Sequence, residues 1–333
     1  MLNKSQHRVL KKNQNTLLLG PTIELDKQSI RKASSFIALN DLVEITKSEN
    51  RNTIKVLKRK NCLYRIEQSK KIIVANVDHL FLVVTNYPPF NLLTNANILA
   101  RAANERINTT IIVNKTDLVQ TDNNFIKNVT SLIPCKNSVQ SWNPKILRCS
   151  LHDEPSLIAL KTKISRIHDK SINKETAFVL IGQSGVGKSS IFNYLTNTTL
   201  QPTSEISAKY KKGKHTTTSS TSYKHNFNNT SDRAIYIIDT PGIENFGIRD
   251  LNIENIRVCF PEWLSLQKHY GACKFTNCKH LEEPGCTVRN MTEKTELLPV
   301  KARETLSKRL NLWEILLAYF NRKRSKRNQN SPK

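Results

Sequence analysis

Along residues 15–70 the apolar positions come in short alternating runs, TLLLG, SSFIAL, LVEIT, NTIKVLK and CLYRI, broken by polar turns. Alternation with period two at that spacing predicts a small all-β unit, a sandwich or a five-stranded barrel. After QSKK the pattern changes. IIVANV, LFLVVTN, TTIIVNK, ILRCS, AFVLIG and AIYIIDT are continuous apolar runs, as strands buried on both faces in a parallel sheet require. Helical stretches such as NLLTNANILARAANERIN and SSIFNYLTN lie between several of them, and alternating strand and helix predicts an α/β domain. Beyond it come a Cys/His-containing segment and a helix over 302–320, in which Leu306, Leu310, Trp313, Leu317 and Phe320 repeat at helical spacing on one apolar face. The expected division is 1–70, 71–247, 248–321 and a basic tail, 322–333, without fixed structure.

Composition sharpens this picture in two places. The net charge is +25, and it is concentrated at the ends. Residues 1–70 hold 15 Lys/Arg against 6 Asp/Glu, and residues 301–333 hold 10 against 2. A cationic excess placed this way points to a polyanion partner, nucleic acid first, because neutralising phosphates releases counterions. A membrane is not expected. No apolar run reaches the length of about 18 that a spanning helix needs, and MLNKSQHRVLKKNQN lacks the apolar core of a signal peptide. The reading is a cytoplasmic protein. Seven cysteines, an odd number, argue against a disulfide framework. Cys62, Cys135, Cys149 and Cys259 are scattered and read as small apolar residues.

Three short motifs, each following an apolar strand, carry chemistry. GQSGVGKS fits G-x-x-x-x-G-K-[ST] at Gly182, Gly187, Lys188 and Ser189, between a strand and a helix start. There the backbone of Gly182, Gln183, Ser184, Gly185, Val186 and Gly187, with the helix N-terminus at Ser189 and Ser190, would form a nest of N–H donors around phosphates. Lys188 would bridge the β- and γ-phosphates, and the Ser189 hydroxyl would ligate magnesium. DTPG ends a strand at Asp239, whose carboxylate would hold the magnesium, while the Gly242 N–H would meet the γ-phosphate. NKTD, from Asn114 through Lys115 and Thr116 to Asp117, selects GTP over ATP. The Asp117 carboxylate can accept from guanine N1–H and its exocyclic amine, whereas adenine offers neither in that geometry. Asn114 would bind the base, and the Lys115 stem would lie over the ring. Ser150, in RCSL, would add a backbone contact to the guanine oxygen. An ATP-dependent metabolic kinase conflicts with Asp117 and with the charge.

The guanine reader precedes the phosphate loop, then come the Thr-rich GKHTTT (213–218) and DTPG. With VANVDHLFLVVTNYPPFN, GQSGVGKSSIFNYL, DTPGIENFGI and CKFTNCKHLEEPGC, that order resembles the circularly permuted GTPases of the RsgA type, over nearly the whole chain. The resemblance implies an N-terminal OB-fold β-barrel, a central permuted P-loop GTPase domain and a C-terminal zinc domain. It also implies a GTPase that assists late assembly of the small ribosomal subunit, is stimulated by that subunit and binds its rRNA; a monomer is expected. Cutting the chain here sends the segment after DTPG straight into the next domain, a lever from nucleotide state to zinc domain.

Ile243 follows Gly242, where a hydrophobic side chain cannot orient water, so intrinsic hydrolysis is expected to be slow. His215 is the candidate to position the water, and the resemblance points to the same residue; Thr217, with Thr216 as the alternative, would reach magnesium. The alternative is an RNA-binding factor that uses GTP as a conformational ligand and barely hydrolyses it. Ile243 favours that alternative and His215 disfavours it. In the C-terminal segment, Cys273, Cys278, His280 and Cys286 offer three thiolates and an imidazole within fourteen residues, a closed set suited to one structural tetrahedral zinc.

Overall fold

The computed structural model describes residues 4–12, 16–19, 23–26, 37–48, 51–66, 70–118, 123–135, 143–197, 221–225, 233–242, 246, 250–294 and 296–329. The chain divides into two compact units. One holds Met1–Phe90, Ile107–Val119 and Ile146–Asn245; the other holds Asn91–Arg106, Gln120–Lys145 and Phe246–Lys333. In chain order the strands are β1 (Lys4–Lys12), β2 (Thr16–Leu19), β3 (Ile23–Asp26), β4 (Leu42–Ser48), β5 (Arg51–Val56), β6 (Cys62–Ile66), β7 (Lys70–Ala75), β8 (His79–Val84), β9 (Asn108–Val113), β10 (Lys145–Arg148), β11 (Glu175–Ile181), β12 (Thr221–His225) and β13 (Ala234–Asp239). The helices are α1 (Leu92–Asn104), α2 (Asn123–Ser131), α3 (Glu154–Asp169), α4 (Lys188–Thr196), α5 (Ile253–Arg257), α6 (Pro261–Tyr270), α7 (Thr287–Arg289) and α8 (Val300–Gln329).

The first unit is built on one mixed sheet in the order β10-β9-β8-β11-β13-β12-β1-β2-β3. Its centre is parallel, β9 on β8, β8 on β11 and β11 on β13. These strands are buried almost throughout, as their continuous apolar runs require. Phe81, Phe178, Leu180, Ile235 and Ile237 of the sheet pack with Leu157, Leu160 and Ile164 of α3 and with Ile191, Phe192 and Leu195 of α4. The parallel strands aim their carboxyl ends at one edge, the usual ligand edge of such a sheet.

Three local expectations are corrected. The sheet is not parallel throughout, because β12 runs antiparallel to β13; its sequence TSYKH has no apolar run, since it exposes part of one face. IIVANV does not join the parallel sheet. Its strand β7 pairs antiparallel with β6 in a separate two-stranded ribbon. Of SSFIAL, the described residues form only a bridge from Leu39 to Val74. Strand β1 was not legible at all. KSQHRVLKK has two apolar residues, and the strand exists because β2, β4 and β12 each pair with it. Its Val9 joins Leu19, Ile37, Val43, Ile45 and Ile54 in a second small core.

The second unit is helical. Asn91 caps α1 by accepting from the Thr94 N–H, and the fully buried Arg101 of α1 pairs with Asp250. The face expected on α8 is buried at Leu306, Leu310, Trp313, Leu317 and Phe320. Arg309, on the same helix and 1% exposed, pairs with the buried Glu262 of α6 and donates to the carbonyls of Ser131 and Cys259. A buried guanidinium must meet such partners, because desolvating it unpaired is costly. The basic tail is corrected here: α8 continues as helix to Gln329. Lys and Arg are good helix formers, and no proline intervenes before Pro332, so a helix nucleated by packing extends through them.

Candidate active site and metal centre

The three motifs stand at the carboxyl ends of the central strands. Asn114 follows β9, Gly182 follows β11, and Asp239 closes β13. The loop before α4 and the NKTD turn are tied directly together. Asn114 Nδ2 donates to Val186 O at 2.9 Å, and Lys115 Nζ donates to Gly185 O at 2.8 Å and Tyr87 O at 3.2 Å. Gly187 is at φ 93, and a Cβ there would lie 2.3 Å from Asn114 Nδ2. Only glycine admits both the left-handed backbone and that approach. Gly242 meets the same limit, since its Cβ would fall 2.7 Å from Ser184 Cα. DTPG therefore lies against the phosphate loop with no side chain between them. The loop of Tyr87 and Pro88, joined by a cis peptide, lies against Gly185. Motif reasoning did not assign it a role, although NYPPFN carried the signal of two prolines.

At the phosphate end, Lys188 Nζ donates to Gln183 O at 2.7 Å and Ser189 Oγ donates to Asp239 Oδ2 at 2.9 Å. Two buried oxygens, Asp239 Oδ1 and Asn114 Oδ1, have no partner among the described residues. Buried acceptors without partners are rare in folded proteins and mark a place for a ligand. A carboxylate oxygen beside a serine hydroxyl is a hard-oxygen set that fits magnesium, with Ser189 and Asp239 as the residues that would hold it. Ser190 follows in α4, half-buried. His215, Thr217 and Ile243 lie outside the described residues.

Burial pulls the Lys188 amine down to about 8, with Asp239 opposing it. Burial also pushes the Asp239 carboxyl up to about 6, against Lys188, the Ser189 hydroxyl and the Thr240 N–H. A polyphosphate favours protonated Lys188, so binding raises its pKa; affinity is full below about 8 and falls above it. A cation favours ionised Asp239, so affinity for a magnesium nucleotide is lost as pH falls through about 6. Magnesium–GTP affinity, titrated with a fluorescent nucleotide, is expected to peak between those two values. A flat profile from about pH 5 to about 9.5 would contradict the pairing.

At the base end, Asp117 is exposed, and Ser150 Oγ donates to its Oδ1 at 2.5 Å. The backbone contact expected from Ser150 is not free in this arrangement, because its N–H donates to Ser156 Oγ at 3.0 Å. The fully buried serine orients the carboxylate instead. Thr116 closes the turn by donating to Cys149 O through both N–H and hydroxyl. Burial lowers the Lys115 amine, which Asp117 opposes.

In the second unit, the ligand atoms of Cys273, Cys278, His280 and Cys286 all lie within 4.8 Å of one another. His280 Nδ1 stands 3.7, 3.5 and 3.4 Å from the sulfurs of Cys273, Cys278 and Cys286. One nitrogen cannot make three hydrogen bonds. Tetrahedral zinc, with bonds of about 2.3 Å to sulfur and about 2.0 Å to nitrogen, separates those atoms by about 3.5 Å. The set therefore fits zinc. Burial pulls the His280 imidazole down to about 4, neutral as a ligand must be. Around it, the Glu283 carboxylate accepts from the Lys279 and Leu281 N–H groups. Trp313 Nε1 donates to Lys279 O, and Arg257 donates to Cys278 O. Of the scattered cysteines, Cys149 and Cys259 are buried and Cys62 and Cys135 half-buried. Among the described residues no helix is long and apolar enough to cross a membrane.

The family model described as RsgA GTPase matches residues 56–249. The small ribosomal subunit biogenesis GTPase RsgA of Nitrosospira multiformis is 33% identical over 300 residues, 89% of this chain and 84% of that relative. The protein of the same name from Flavobacterium psychrophilum is 33% identical over 276 residues, 80% of this chain and 78% of that one. Among solved structures, YjeQ from Thermotoga maritima aligns with TM-score 0.59 at 24% identity, covering 95% of this chain and 99% of that one. YloQ, a circularly permuted GTPase, aligns with TM-score 0.55 at 20% identity, covering 94% and 96%. At such identities the structural likeness speaks to fold.

Proposed function

This chain belongs to the RsgA GTPase family and hydrolyses GTP, and from that premise we propose that it acts late in assembly of the small ribosomal subunit, which stimulates its hydrolysis. The observation that carries the reading is the meeting of three strand-end motifs, with Asn114 and Lys115 bonded to the loop that ends at Lys188. The relatives' names supply the small subunit as partner. The N-terminal strands are read as an OB-type barrel that grips rRNA by charge, since aromatic residues are few in 1–70. The protein would be monomeric and cytoplasmic.

In this reading Asp117 reads guanine, held by Ser150, while Asn114 and the Lys115 stem frame the base. The N–H groups of Gly182 to Ser190 cradle the phosphates, and Lys188 moves from Gln183 O to bridge β and γ. Bound to Ser189, Asp239 and Thr217, magnesium would neutralise charge on the phosphates. The Gly242 N–H donates to the γ-phosphate, and His215 positions the attacking water. Zinc on Cys273, Cys278, His280 and Cys286 serves structure alone.

Turnover of GTP with and without small subunits, over a salt series, tests the whole reading. Strong stimulation that weakens with salt supports it. Slow turnover that subunits leave unchanged supports the second reading, GTP as a conformational ligand, which Ile243 favours. Within the same assay, His215→Ala is expected to leave GTP affinity nearly unchanged. It should abolish the acceleration, a loss on the order of 100-fold or more. A fully stimulated variant would remove His215 from the role.

A further inference from the structure

The N-terminal strand β1 reaches the chemistry of the site through the sheet. Lys11 pairs with Thr221 of β12, and Thr221 pairs with Asp239 of β13. Residues paired across neighbouring strands project from the same face. Lys11, Thr221 and Asp239 therefore form one row on one face. It is the α4 face, because Asp239 accepts from Ser189 there and Ile235 and Ile237 pack with Ile191 and Phe192. Two strand spacings separate the Lys11 and Asp239 backbones, about 10 Å.

A second set of contacts ties β1 to the same sheet. Arg8 lies three residues before Lys11, and Tyr236 lies three before Asp239. Tyr236 therefore projects from the face opposite Asp239, and the Arg8 guanidinium sits over its ring at 4.4 Å; the register of β1 shifts between Val9 and Lys11, so the face of Lys11 is set by its own pairing with Thr221. Arg8 also pairs with Glu175 of β11, which accepts from the Tyr236 hydroxyl. Strand β1 is thus held against the nucleotide sheet by Arg8, and Lys11 stands in the row of Asp239.

We propose that Lys11 is a positioning residue for the GTP reaction, an ammonium carried by the N-terminal strand that favours GTP over GDP at the Asp239 end of the site. The γ-phosphate adds one negative charge beyond GDP at the end where Asp239 and Ser189 stand. Taking that strand spacing of about 10 Å as the charge separation, with an effective dielectric constant between that of a protein surface and of water, one ammonium would favour that charge by about twofold to twentyfold. A polyanion laid along the basic N-terminal strands would compete for the same ammonium, so the GTP site would sense it through this residue. The proposal rests on the GTP-site reading above.

Equilibrium binding of fluorescent GTP and GDP to the full chain tests it, with the ratio of the two affinities as readout. Lys11→Gln is expected to lower the GTP-to-GDP preference about twofold to twentyfold, leave GDP binding nearly unchanged and keep the thermal midpoint. Lys11→Arg should restore the preference. Lys55→Gln removes a charge from exposed β5, outside the row, and should not alter it. An unchanged ratio in Lys11→Gln overturns the proposal, as does an equal loss in Lys55→Gln or a loss that Lys11→Arg does not repair. Failure of the unmodified chain to bind GTP would instead overturn the site itself, so the two failures are distinguishable.

Discussion

Asp117→Asn is expected to lower GTP affinity by at least about 100-fold and to improve binding of xanthosine nucleotides. Guanine presents two donors to this position, and an amide can accept only one while turning its own donor toward the other. Xanthine replaces the exocyclic amine by a carbonyl, which needs a donor at that place. The structure gives the direction of the swap. Ser150 Oγ, buried and held by its neighbours, donates to one Asp117 oxygen. In the variant that hydroxyl keeps the amide oxygen on its own side and so turns the NH2 toward the base. Competition titrations with guanosine and xanthosine diphosphates read the result. Unchanged base preference would take Asp117 out of the base-reading role.

Replacing Cys278 by Ser is expected to release zinc and unfold the segment around it while GTP binding survives. A hydroxyl does not become the anionic ligand that a thiolate is. The loop from Cys273 to Cys286 has few apolar residues to hold it, so binding energy of about 10–16 kcal/mol for a structural zinc becomes folding energy here. Trp313 and Arg257 donate to loop carbonyls at Lys279 and Cys278, so loss of the metal should extend to α8. Metal analysis and limited proteolysis check both parts. Stoichiometric zinc in the variant would show that the four residues are not the ligands. The residues proposed to bind GTP belong to the other compact unit, which is why nucleotide affinity is expected to persist.

Sequence alone determined what depends on short-range chemistry. A phosphate loop needs its glycines and lysine within eight residues, and four side chains that could ligate a metal within fourteen already suggest a closed site, so spacing carries the information. Continuous apolar runs likewise marked β8, β9, β11 and β13, because strands buried on both faces cannot alternate. Tertiary structure decided what depends on distant partners. Strand β1 has too few apolar residues to announce itself, and its existence rests on pairing with β2, β4 and β12. IIVANV reads as a central strand but is claimed by β6. The role of Ser150 turned on which neighbour took its N–H, and α8 ran past its apolar face because packing had already met the cost of nucleation. The motif order itself mattered little to the site. Strand neighbours, not chain order, bring Asn114, Gly182 and Asp239 to one edge, since a sheet is held by hydrogen bonds and burial that are indifferent to where the chain is cut.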